Sequence, residues 1–155
     1  MYQTILVPVD GSKRAEAILS HVEHIAKRDN AKVVFLKVEE EPVMLDRDEV
    51  IDVEKYHAEF EKQKERSRVY LTGLQTRFGE HGIQAETRLA YGSVVKAILK
   101  TAADTGVDLI AMATHGISGL ARVSYGSVAA GVLQAAELPI LLIRSCNDQK
   151  GETCG

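Results

Sequence analysis

The chain contains no tryptophan, and aromatic residues of all kinds make up 5% of it. That scarcity removes the stacking platforms on which single-stranded nucleic acids are bound. Positive charge is not in excess either. The 19 Lys and Arg against 22 Asp and Glu leave a formal −3, whereas affinity for a phosphate backbone comes largely from clustered cations. Nucleic acid is therefore not expected as a partner. No apolar run approaches the ~18 residues of a membrane-spanning helix, and MYQTILVPVD enters a strand-like run without a basic n-region. A cytoplasmic protein with no membrane partner is expected. Both cysteines, Cys146 and Cys154, lie in the polar end segment SCNDQKGETCG, where they read as exposed thiols of a reducing compartment, with a loop disulfide under oxidising conditions as the alternative.

Several nucleotide and hydrolase signatures are missing too. There is no Gly-Lys dipeptide, hence no Walker-type phosphate loop, and no Gly-x-Gly-x-x-Gly after the first strand. A Gly-x-Ser-x-Gly elbow is absent as well.

What remains is the composition of an ordinary globular domain, with 45% apolar and 26% charged residues in 155. That length suits one domain, expected over 1–144, followed by a polar tail over 145–155. Thr4 to Val9 (TILVPV) is an apolar, β-branched strand closed by Asp10-Gly11-Ser12, and Ser12 caps a helix whose apolar face is Ala15, Ile18, Leu19, Val22, Ile25 and Ala26. Lys32 to Val38 is a second, buried strand. Glu39 to Asp52 is acidic and aperiodic and reads as a loop able to close over a site. Val53 to Phe78 is helical, with a solvated charged face (EKYHAEFEKQKER) and an overhang of about a turn near Gln63-Lys64. Gln84 to Tyr91 alternates like an edge strand. Gly92-Ser93 opens a helix that Gly106 stops, Asp108 to Ala113 is a fourth strand, Ser127 to Ala136 a short helix and Pro139 to Ile143 a fifth strand.

Five alternations of strand and helix call for a parallel sheet with helices on both faces. Ligands then bind beyond the carboxyl ends of the strands, where strand order reverses. Two strands end in unusual turns, Pro8-Val9-Asp10-Gly11 and Ala113-Thr114-His115-Gly116. If they are neighbours, their crevice holds an acceptor carboxylate on one wall and open helix-start amides on the other, as a nucleotide requires. Three junctions share one spelling, Gly11-Ser12, Gly92-Ser93 and Gly126-Ser127, and glycine for the turn with serine for the cap explains all three structurally. Asp10 also fits an ordinary Asp-Gly turn. His115 lacks a second histidine or cysteine at motif spacing and reads as structural, and His21 and His24 have no acidic pattern that would make a metal site. Arg122 suits a terminal phosphate or plain solvent equally.

With these residues in view, the chain resembles the universal stress protein family from Met1 to Arg144. The likeness rests on ILVPVDGS, a charged second helix, DLIAMATHG, a Gly-Ser helix start and a closing PILLIR. It implies an α/β, Rossmann-like fold of the adenine nucleotide alpha hydrolase type, a five-stranded parallel sheet of order 3-2-1-4-5. Family members that bind ATP share a loop Gly-x2-Gly-x9-Gly-Ser/Thr. Here the nine-residue spacer from Ile117 to Tyr125 is intact between Gly116 and Gly126-Ser127, while Ala113 replaces the first glycine. A methyl group at Ala113 is tolerable with negative φ and obstructive with positive φ. The resemblance sets Pro8, Val9 and Asp10 against adenine and ribose, Leu36, Lys37 and Val38 around the base, and Met112, Ala113, Gly116, Gly126, Ser127 and Val128 around ribose and phosphates. It implies ATP, with Mg2+ held by its phosphates, no catalytic residue and no protein metal site. A homodimer through Pro139 to Ile143 and a role as stress-response sensor or switch follow by the same likeness. The alternatives are a family member working through protein surfaces without nucleotide, favoured by Ala113, and a slow ATPase.

Overall fold

The computed structural model describes residues 1–40, 53–114 and 126–145. The acidic segment 41–52, His115, Gly116, Arg122 and the rest of the 115–125 loop, and both cysteines lie outside the described residues. Five strands, β1 (Thr4–Val9), β2 (Lys32–Glu39), β3 (Ala85–Tyr91), β4 (Leu109–Ala113) and β5 (Ile140–Ile143), form one parallel sheet in the order β3-β2-β1-β4-β5. This is the expected architecture. Each crossover carries a helix: α1 (Leu19–Asp29) after β1, α2 (Val53–Glu80) after β2, α3 (Val94–Thr105) after β3 and α4 (Ser127–Ala135) after β4.

Alternation along the central strands builds two cores. Ile5, Val7, Val33 and Phe35 face α1 and α2, where Phe35 meets Phe78 edge-on at 4.9 Å. Leu6, Val34, Leu36, Ile110 and Met112 face α3 and α4, against Ile98, Ala102, Ala129 and Val132. Burial on both faces is why these strands read as continuous apolar runs. At the opposite end of the sheet, Asp108 joins the two central strands by accepting the amides of Gln3 at 2.8 Å and Thr4 at 3.0 Å.

The local structure departs from expectation in three places. The first helix does not begin at its serine cap: Ala15–Ile18 is a 3-10 turn that precedes α1, with Ser12 Oγ accepting from the Ala15 amide at 3.2 Å. β2 runs on through Glu39, which is buried at 6% exposure rather than opening the acidic loop. The overhang of α2 is also longer than a turn. From Glu54 to Arg66 every residue is exposed except Phe60 and Lys64, which are partly covered, so about 20 Å of helix projects past the core. A small cluster holds this part down: Phe60 packs on Tyr91 at 5.8 Å between ring centres, and Lys64 Nζ lies 4.8 Å over the Phe60 ring.

β1 and β4 are registered at Ile5–Leu109 and Leu6–Ile110, short of their carboxyl ends. Pro8, which has no N–H for a ladder, lies beyond that register on the β4 side, while on the other side it is opposite Leu36 of β2. The strands part there, at the reversal of strand order, and the crevice between them is the site described next.

Candidate functional site at the carboxyl end of the sheet

A cavity of about 510 Å3 opens at the carboxyl ends of β1, β2 and β4. Its volume lies in the range of small-molecule sites. Pro8, Val9, Asp10, Leu36, Lys37, Val38, Met112, Ala113, Gly126, Ser127 and Val128, all marked from the sequence, line it together. Gly116 and Arg122 lie outside the described residues. Ala15, Glu39, Gln63, Val94 and Thr114 line it too, and the sequence did not mark them as site residues.

The β1 wall is a tight turn. Asp10 Oδ1 accepts from the Ser12 amide at 2.9 Å and from Ser12 Oγ at 2.6 Å, an Asx-type closure. Gly11 follows with φ +86°, where a side chain would be strained. Beneath this turn lies Tyr70 of α2, whose hydroxyl is buried without a hydrogen-bond partner among the described residues. Burial, and then the charges of Glu16 and Asp10, hold that phenol above its ordinary pKa, so it stays neutral.

The β4 wall is different in kind. Ala113 belongs to β4, opposite Ile143 in the register. Among the described residues Asn30 alone, apart from glycines, has a positive φ. The obstruction that a positive φ would have caused at Ala113 therefore does not arise. Thr114 is the neck of the following loop: its amide donates to the Ile143 carbonyl at 2.9 Å, and its carbonyl accepts from the Gly126 amide at 2.8 Å. Both ends of the loop thereby meet at the cavity.

The three Gly-Ser junctions, alike in spelling, are not alike in structure. Gly11 and Gly92 have φ of +86° and +99°, and the serine after each accepts a helix-start amide, Ser12 from Ala15 and Ser93 from Lys96. Gly126 instead has φ −62° and is itself the N-cap of α4, with no side-chain cap bond. Ser127 is the first residue of α4. The capping explanation thus holds for two junctions and fails for the third, which leaves first-turn amides without a side-chain cap facing the cavity.

The β2 wall carries a polar network that strand propensity does not suggest. Lys37 Nζ donates to Glu39 Oε1 and to Ser67 Oγ, the latter at 3.0 Å. Ser67 also bonds Glu39 Oε1, and Gln63 Nε2 donates to Glu39 Oε2 at 2.9 Å. Burial pushes the Glu39 carboxyl up, but Lys37, Ser67 and Gln63 outweigh it and hold the group below the usual carboxylate range. The one available signal was alternation: Val33, Phe35, Lys37 and Glu39 share a face of β2, so the ion pair continues the core row toward the cavity.

Among the described residues no group of three or more His, Cys, Asp or Glu side chains is placed to hold a metal ion. No helix among them is long and apolar enough to cross a membrane.

Known proteins resemble this chain in sequence and fold. A profile of the universal stress protein family matches residues 1–144. A putative universal stress protein of Staphylococcus haemolyticus is 37% identical over 117 residues, covering 73% of this chain and 67% of its own length. Universal stress protein YxiE of Bacillus subtilis is 32% identical over 149 residues, 93% of this chain and 100% of its own. Among solved structures, hypothetical protein MJ0577 superposes with a TM-score of 0.81 at 28% identity, covering 95% of this chain and 99% of its own. A universal stress protein in complex with cAMP and an Arabidopsis thaliana family protein with AMP bound share the fold at TM-scores of 0.64 and 0.68, with 23% and 16% identity. The profile over 1–144 and the Bacillus relative over nearly the whole chain establish that this protein belongs to the universal stress protein family.

Proposed function

We propose that the protein binds ATP in the cavity at the carboxyl end of the sheet and acts as a homodimeric stress-response switch in the cytoplasm. The observation that carries the reading is the pairing of unlike walls across one crevice: Asp10 on β1, and on the other side the start of α4 at Gly126 without a side-chain cap. A carboxylate accepts from ribose hydroxyls or a base amine. Uncapped first-turn amides and the positive end of the helix dipole attract phosphate. Leu36, Val38 and Met112 supply apolar surface for the faces of a base. Mg2+ would be carried in by the phosphates. Relatives of the same fold with cAMP or AMP bound indicate that this architecture can seat an adenine nucleotide.

The test begins with protein purified quickly and denatured, followed by chromatography of the supernatant. An adenine nucleotide should be released from the wild type, or be retained after incubation with ATP and desalting. Asp10→Ala should retain at least about tenfold less, the loss of a charge-assisted bond at the ribose or base. A wild type that neither releases nor retains nucleotide would remove the reading.

A further inference from the structure

We propose that Gln63, on the projecting half of α2, reads the base of the nucleotide and sets a preference for adenine over guanine, with Glu39 as its positioning residue. This rests on the nucleotide reading above. Gln63 lines the same cavity as Asp10 and Val38 although it comes from a helix that otherwise packs outside it. One of its N–H groups is committed to Glu39 Oε2 at 2.9 Å. A carboxylate cannot donate to the amide oxygen, so this bond fixes which way the carboxamide is turned. Glu39 cannot readily swing away, because its other oxygen is held by Lys37 and Ser67. Among the described residues, Gln63 keeps its carbonyl oxygen and its second N–H available.

An acceptor beside a donor complements the N6 amine and N7 of adenine and mismatches the O6 and N7 of guanine, which are both acceptors. Electrostatics orient the ligand the same way. Asp10, Glu39 and Glu40 give the β1–β2 side of the cavity three carboxylates against the ammonium of Lys37, an environment unfavourable to phosphates. The α4 start on the far side favours them. The base therefore lies toward β2 and Gln63.

Gln63 is exposed on an overhanging helix, so Gln63→Leu should fold, with a melting temperature lowered only by the loss of the single bond to Glu39. Calorimetric titration with ATP and with GTP gives the ratio of dissociation constants. The wild type should prefer ATP by at least about tenfold, and Gln63→Leu should bring the ratio to within about twofold of unity, the loss of one bidentate contact. Glu39→Gln, which frees the carboxamide to turn over, should lower the ratio too, while its melting temperature is recorded separately to distinguish lost stability from lost reading. If Gln63→Leu leaves the ATP:GTP ratio unchanged, the role of Gln63 is overturned and the nucleotide reading stands. A ratio that falls in Gln63→Leu but not in Glu39→Gln overturns the positioning role. A wild type that binds neither nucleotide overturns both readings together.

Discussion

Glu39 is the residue on which most of this site turns. It is buried beside Lys37, with side-chain exposures of 8% and 14%, and each charge is tolerable because the other and Ser67 satisfy it. Replacing Glu39 with Gln leaves an ammonium without its counter-charge in a poorly solvated place, and the expected cost is roughly 3 kcal/mol in urea unfolding at pH 7. The pH dependence follows from the lowered pKa of Glu39. The folded protein holds the ionised form more tightly than the unfolded chain does, so this stability is present above the ordinary carboxylate pKa and is lost as pH falls through the lower folded value. The difference between wild type and Glu39→Gln should therefore be full at pH 6 and narrow as the pH drops below about 4. A difference that stays constant down to pH 3 would contradict the assignment. None of this was legible in the sequence, where glutamates at a strand end next to Pro42 read as the start of a loop. The partners that make burial possible, Ser67 and Gln63, lie 28 and 24 positions away. Tertiary hydrogen bonds overrode local composition.

At the scale of elements, the strands and most helix ends were legible because their signals are local. β-branched runs mark the central strands, and Asn30 and Gly106 close α1 and α3 in left-handed conformations, with φ of 54° and 63°. The reach of α2 beyond the core was less legible. Its apolar spacing continues through Tyr56 and Phe60, and only packing decides that Tyr56 is 43% exposed while Leu71 is 2%. The role of the third Gly-Ser pair was hidden for a similar reason: one dipeptide serves two different backbone conformations. The contact between α3 and α4 is decided by another glycine. A Cβ on Gly131 would lie 2.8 Å from Val95 Cγ2, and a β-branched side chain in a helix has little freedom to yield. Gly131→Ala should gain about 1 kcal/mol in helix propensity and lose more through overpacking. The urea midpoint is thus expected to fall, by a net of about 1 kcal/mol in unfolding free energy. An unchanged or raised midpoint would show that α4 can shift away from α3 without cost.

For the whole molecule, two features of the sheet organise the account. One is its β5 edge, which no strand pairs among the described residues. All four residues of β5, Ile140 to Ile143, are partly exposed, and an apolar edge strand left uncovered invites pairing with another chain. We propose that a second copy covers it. Light scattering after size exclusion should give twice the chain mass at micromolar concentration, and a monomer there would count against the dimer. The other feature is the parting of β1 from β4 beyond Leu6–Ile110. The order 3-2-1-4-5 was implied by family likeness rather than by periodicity, because which strands become neighbours is a long-range property. Once that order is in place, Asp10, Ala113 and Gly126, distant in the chain, line one cavity. The nucleotide reading depends on that convergence. Isothermal titration of the purified protein with ATP tests it most directly: the account predicts saturable binding with a Kd tighter than about 1 mM, more than about 4 kcal/mol of binding free energy, weakened at least about tenfold in Asp10→Ala. No saturable heat from the folded wild type at millimolar ATP would contradict it.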